Sequence, residues 1–167
     1  MRDKDSVASC SLMAEISAWA KSRGKSIYEV LIDIYTKYGF FREKLINIVR
    51  KGLEGHSEIK AMMMAYRNNP PENINNSKVV KINDYDSLIS TDCITGKETK
   101  IDLIQSDVLQ FFLEDGSKIS VRPSGTEPKI KFYFSVNAKL SSADKFEETE
   151  KILDQRIDGI INDLKLA

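Results

Sequence analysis

From Ala8 onward the apolar positions recur at 8, 12, 16 and 19 to 20, with Cys10 and Met13 widening the stripe, and this spacing predicts an amphipathic helix. Asp3 or Asp5 offers a capping carboxylate at its start, and Gly24 a stop. A second helix is predicted from a Ser26 cap through Tyr28, Leu31, Ile32 and Tyr35 to about Lys37, closed by Gly39, so the first forty residues read as a helical hairpin. Leu45 to Val49 is rich in β-branched residues and is followed by Gly52 and Gly55, which predicts a short strand. Ile59, Met62, Met63 and Tyr66 fall at helical spacing between Ser57 and Arg67, and Asn68-Asn69-Pro70-Pro71 ends that helix. Its methionines read as core filler.

The stretch from Asn68 to Ser77 has linker composition, with two prolines and five asparagines, and Lys78 to Ile82 follows as a short strand. Between Asn83 and Ser106 the pattern weakens around a turn signal at Thr95-Gly96, predicting a long loop or a small hairpin. Val108 to Leu113, the tight turn Asp115-Gly116 and Lys118 to Val121 predict a hairpin, because Asp-Gly accepts the positive φ angles of such turns. Ile130, Phe132, Phe134 and Val136 alternate with Lys131, Tyr133 and Ser135, the period of a half-buried strand whose phenylalanines face a core beneath helices. Ser141 or Ser142 caps a last helix to about Leu164, with Phe146, Ile152, Leu153, Ile157, Ile160, Ile161 and Leu164 on one face. From residue 44 the order is strand, helix, four strands, helix, so the expected class is α+β: two helices covering one face of a largely antiparallel sheet.

Composition narrows the function. The 167 residues carry 25 basic and 25 acidic side chains, so no global positive field draws in a nucleic acid and any anion site has to be local. No apolar run reaches the roughly 20 residues of a membrane span and the start is too acidic for a leader, which leads to a cytoplasmic expectation. Cys10 and Cys93 are far apart with no metal-binding spacing, and read as buried or incidental thiols. Asp3, Asp5, Asp84 and Asp86 read as helix caps and solvated turns rather than metal ligands.

The chemistry concentrates in Arg122-Pro-Ser-Gly-Thr-Glu-Pro-Lys129, between two strand-like runs. Arg122 offers a planar fork of donors, Ser124 and Thr126 offer hydroxyls, and Gly125 lets backbone N–H groups approach an anion. Pro123 and Pro128 stiffen the shoulders, so less ordering entropy is lost on binding. Hairpins usually need about two to five loop residues, and the eight or so between Val121 and Ile130 exceed that. By composition alone, a Pro- and Gly-rich connection with incidental polar groups explains the segment equally well.

The run Arg122-Pro-Ser-Gly-Thr-Glu-Pro-Lys-Ile-Lys131 closely resembles the phosphate-binding loop in the C-terminal domain of the α-D-phosphohexomutases, the phosphoglucomutase and phosphomannomutase family. Arg2-Asp-Lys-Asp-Ser-Val7, Lys37-Tyr-Gly-Phe-Phe41 and the Asn-Pro-Pro-Glu linker at 69 to 72 are also similar to that family. The resemblance implies a TATA-binding-protein-like C-terminal domain over residues 43–167, preceded at 1–42 by a helical remnant of the third domain. It implies that Arg122, Ser124, Gly125, Thr126 and Lys131 hold the phosphate of a phosphosugar that is not being transferred, with Lys131 standing where relatives often carry Arg. Lys4 matches a lysine that faces the active site in phosphoglucomutases; a solvated first-turn charge explains it as well.

The family's phosphoserine, its Asp-rich magnesium loop and its Glu-containing sugar loop belong to domains N-terminal to the matched segment, and none has a counterpart here. The expectation is therefore a C-terminal fragment, inactive alone, of an isomerase that works with magnesium and with the missing N-terminal domains. Residues 1–42 are expected to be mobile, repacked, or buried against another copy. A stand-alone module binding phosphosugars or phosphate without catalysis is the alternative. RNA recognition through Phe132 and Phe134 is disfavoured by neutral charge.

Overall fold

Local hydrogen-bond chemistry sets the first two helices. The computed structural model describes residues 5–50, 52 and 54–166. Helix α1 (Ser6–Ser22) is capped by Asp5, whose carboxylate accepts the Ala8 N–H at 2.9 Å. Asp3 and Lys4 lie outside the described residues. Helix α2 (Ile27–Tyr38) starts with a reciprocal capping box: Ser26 Oγ accepts from the Glu29 N–H, and the Glu29 carboxylate accepts from the Ser26 N–H at 2.7 Å. Gly39, at φ +102°, ends it. Then follow β1 (Phe40–Val49), α3 (Gly55–Asn68), β2 (Asn73–Ile74), β3 (Ser77–Asp84), β4 (Ile89–Asp92), β5 (Glu98–Lys100), β6 (Leu109–Leu113), β7 (Lys118–Pro123), β8 (Lys129–Ala138), a 3-10 turn (Ala143–Lys145) and α4 (Phe146–Asp163).

The chain divides into two compact units. One holds the described residues up to Phe40 together with Ala138–Thr149. In it Tyr35, Phe40 and Phe146 stack, with ring centroids 4.4 Å and 4.8 Å apart, and Tyr28 meets Phe146 edge-on. Ala20, Ile32 and Leu140 are buried, but Leu12, Trp19, Leu31, Ile34 and Tyr38 stay exposed, several of them along an open groove of about 920 Å³.

The other unit, Phe41–Asn137 and the described residues from Glu150 onward, is built on a sheet ordered β1-β8-β7-β6-β3-β4-β5, with β2 on β3. The ladders joining β2 to β8 are antiparallel. Register explains the core: Phe111 faces Ile119, Ile119 faces Phe134 and Val121 faces Phe132, all on one side and all fully buried. Tyr66 of α3 meets Phe111 and Phe132 edge-on at 6.1 Å, while Leu153, Ile157, Ile160 and Ile161 of α4 are buried. Only one face of the central strands is buried, so both helical stripes lie on it. The fold is α+β as expected, and Phe132 and Phe134 belong to its core. Truncating either ring costs about 3–5 kcal/mol on general grounds.

Two expectations need correction. β1 starts at Phe40 rather than Leu45, because Arg42 and Lys44, which look like loop charges, pair with Asp154 and Asp158 of α4 at 2.8 Å and 2.9 Å. Of the two forms expected between Asn83 and Ser106, the small hairpin is the one found: β4 and β5 pair antiparallel around the Thr95-Gly96 turn and extend the sheet beyond β3. The last helix opens with a 3-10 turn, and Ser142 makes no side-chain cap there. Among the described residues no helix is long and apolar enough to cross a membrane.

Candidate functional site

The hairpin of β7 and β8 presents the loop. Arg122 pairs with Lys131 and Pro123 with Ile130, and the Ser124 N–H donates to the Lys129 carbonyl at 2.8 Å. The true connection is therefore Ser124–Pro128, five residues, and the expected connection of about eight residues is corrected. Pro123 fits inside the strand because the bond at Ser124 leaves Pro123 and Ile130 as a non-hydrogen-bonded pair. Its nitrogen faces β6, whose ladder with β7 stops at Leu109 and Val121.

The loop is anchored from behind. The Lys129 N–H donates to the Glu127 carbonyl at 2.7 Å, and the Arg50 N–H donates to the Pro128 carbonyl at 2.9 Å. Gly55, the first residue of α3, packs so closely that a Cβ there would stand 2.3 Å from the Arg50 carbonyl oxygen and 3.2 Å from Pro128 Cβ. This approach brings the N-terminus of α3, with its partial positive charge, to the loop. A cleft of about 500 Å³ opens there, lined by His56, Lys60 and Asp107 with Arg122, Ser124 and Gly125 among others.

Charge in this region is unevenly compensated. Glu127 forms an ion pair with Lys129, whose hydrogen bond and field hold the exposed carboxyl below the ordinary glutamate range, with Lys131 adding to the effect. Asp107 accepts from Arg67 Nη2 at 2.6 Å, and Arg67 also bonds Asp84 at 3.2 Å. Burial works against the Arg67 charge, but the two carboxylates outweigh it and hold its pKa up. The Arg122 side chain is exposed, and no side-chain hydrogen bond or ion pair joins it to any described residue. It stands directly across from Lys131, and like charges opposed on a sheet repel.

Of the residues expected to act together, Arg122, Ser124 and Gly125 line the cleft. Thr126 follows on the same loop, exposed to solvent, and Lys131 joins the group through its register with Arg122. Gly125 has a φ outside the left-handed region, and a Cβ there would meet nothing within 4 Å. The fold itself places no demand for glycine at this position. His56 and Lys60 are additions that sequence reasoning missed; a lone histidine at a helix start gives no spacing signal, and 66 residues separate it from Arg122.

Among the described residues the acidic side chains of Asp84 and Asp107 are engaged with partners other than one another. Asp84 and Asp107 share Arg67, and among the described residues no group of three His, Cys, Asp or Glu side chains converges. Asp84 also accepts from the Asp86 N–H and from Ser87 Oγ, the turn role expected of it. Cys10 is exposed and Cys93 half-buried, its thiol pKa pushed up by burial.

Residues 45–149 match the family model described as phosphoglucomutase/phosphomannomutase, C-terminal domain. The chain belongs to this family. It is similar to the phosphoglucomutase of Staphylococcus haemolyticus (strain JCSC1435), at 34% identity over 90% of this chain and 26% of that protein. The phosphoglucomutase of Staphylococcus epidermidis (strain ATCC 35984) is 32% identical over 97% of this chain and 28% of its own length. That of Staphylococcus aureus (strain bovine RF122) is 38% identical over 81% of this chain and 24% of its own. The chain thus spans about a quarter of the length of the curated relatives it matches. In phosphoglucomutase/phosphomannomutase terms, the matched segment takes in β1 from Leu45, the whole Arg122–Lys131 hairpin and the first residues of α4.

Proposed function

We propose that this chain is the part of a phosphohexomutase that holds the phosphate of a phosphosugar not undergoing transfer, while an isomerase reaction proceeds on preceding domains. The observation that carries the reading is the Arg122–Lys131 cross-strand pair, two cations in register beside an open, glycine-containing loop, with the Arg122 side chain unpaired among the described residues. A doubly charged oxyanion placed between them turns repulsion into two attractions. The Arg122 fork grips two oxygens, Lys131 supplies a point charge, and Ser124, Gly125 and Thr126 contribute hydroxyl and N–H donors. The α3 N-terminus and Lys60 add to the same field.

In this reading residues 1–42 are the last helices of a preceding domain and 43–167 the phosphate-holding domain. The exposed apolar side chains of α1 and α2 then await the N-terminal domains of the longer protein. Magnesium and the transferred phosphate belong to those domains, and this chain alone turns over no substrate. The unpaired thiols of Cys10 and Cys93 accord with a reducing, cytoplasmic setting.

Calorimetric melting in inorganic phosphate, against chloride at matched ionic strength, tests the proposal. A ligand at a hundred times its Kd stabilises by about 2.7 kcal/mol, or roughly 5–10 °C in Tm for a chain of this size. The Arg122→Ala variant serves as the blank for general salting effects. The expected result is a phosphate-dependent rise that the variant loses; equal rises in both proteins overturn the assignment.

A further inference from the structure

Asp107 is the one carboxylate among the described residues that line the cleft, where Lys60 and Arg122 supply positive charge. A carboxylate on the wall of an anion site works against its guest. The backbone around Asp107 is pinned on both sides: the Ser106 N–H donates to the Tyr85 carbonyl and the Tyr85 N–H to the Val108 carbonyl, each at 3.0 Å. The side chain, by contrast, has Arg67 as its only partner among the described residues, through Nη2 at 2.6 Å. Arg67 is 15% exposed and lines a separate pocket with Tyr66 and Asp84, so it acts on the cleft through Asp107.

One guanidinium holds two carboxylates, so the group of Asp107, Arg67 and Asp84 keeps one net negative charge. Asp84 has other donors in the Asp86 N–H and Ser87 Oγ, each at 3.1 Å, whereas loss of Arg67 strips Asp107 of its only counter-charge. A cleft of about 500 Å³ keeps a bound anion within roughly 8–10 Å of that carboxylate, about one Debye length at physiological salt. The Asp107 side chain is 51% exposed, so water screens its charge and the effects expected are several-fold rather than hundredfold. We infer, resting on the phosphate-binding reading above, that the Arg67–Asp107 pair sets the strength of the anion site: Asp107 opposes the bound anion, and Arg67 is a positioning residue that ties this carboxylate to the cleft wall and offsets its charge.

Calorimetric titration of the 167-residue chain with inorganic phosphate at about 0.01 M ionic strength, where the Debye length is about 30 Å, tests this. Asp107→Asn makes the group neutral and should bind phosphate about three- to fivefold more tightly. Arg67→Met leaves two carboxylates unopposed and should bind it more weakly by a similar factor. Combining the two substitutions restores the wild-type net charge and should bring affinity back to within about twofold of wild type. The differences should shrink at about 0.15 M ionic strength. A purely structural tether predicts the reverse sign for Asp107→Asn and no rescue in the double variant. Asp107→Asn swaps one half-exposed oxygen for nitrogen, so it decides the question even where Arg67→Met fails to fold. Unchanged or weaker phosphate affinity in Asp107→Asn, or a double variant as weak as Arg67→Met, overturns the inference and leaves the phosphate site standing. No phosphate binding by the wild-type chain overturns the phosphate reading, and this inference with it.

Discussion

Replacing Gly125 by alanine separates a glycine that the fold needs from one that a ligand needs. At Gly125 the backbone φ lies outside the left-handed region and the new methyl group meets open space within 4 Å. Folding therefore has no reason to suffer. A Gly→Ala change at a compatible φ stabilises by about 0.4–1 kcal/mol through the unfolded chain, or roughly 1–4 °C in Tm here. Anion binding should respond the other way, because the methyl group stands beside the N–H donors of the loop. One hydrogen bond to a charged group is worth about 1.5–3 kcal/mol, which corresponds to a roughly 10- to 100-fold weaker phosphate affinity. Urea melts give the first quantity and calorimetric titration with phosphate the second. Destabilisation beyond about 1 kcal/mol would show that the loop needs glycine for its own geometry. Undiminished phosphate affinity would show that these amides do not face the anion.

The opposite behaviour is predicted for Gly55→Ala, where a Cβ would press on the Arg50 carbonyl at 2.3 Å; a loss of about 1–3 kcal/mol is expected, and an unchanged urea midpoint would refute the close approach. Arg122→Lys keeps the charge and removes the fork, so phosphate should bind about tenfold more weakly at unchanged Tm, and wild-type affinity would exclude a bidentate grip. Arg67→Ala strands Asp84, whose side chain is 20% exposed; allowing for partial solvent screening, a loss of about 1–3 kcal/mol is expected in urea melts, and a neutral result would mean water replaces the guanidinium.

Much of the fold was legible because its signals are local. The Ser26 cap with Gly39, the Asp115-Gly116 turn and the strict alternation along β8 each specify structure within a few residues, and each appears where expected. β4 and β5 left little trace, since their side chains are exposed or half-buried and show no buried-exposed alternation. They exist because β3 and then β4 offer hydrogen-bonding edges. Charges at Arg42 and Lys44 concealed the start of β1, because their partners Asp154 and Asp158 lie more than a hundred residues away. A shorter but still long separation in sequence hid His56 and Lys60 from the loop they flank. Arg122, Ser124 and Gly125 were legible through family resemblance, whereas composition alone left a plain connection equally acceptable. The supposed surplus of loop residues was an artefact of treating Arg122 and Pro123 as loop when they are strand.

A crystal of this chain grown with glucose 6-phosphate tests the central claim most directly. Tetrahedral density within hydrogen-bonding distance of the Arg122 guanidinium and the Ser124–Thr126 loop is the predicted result. A loop folded inward with Arg122 bound to a carboxylate, or the sugar phosphate seated elsewhere on the protein, would contradict it.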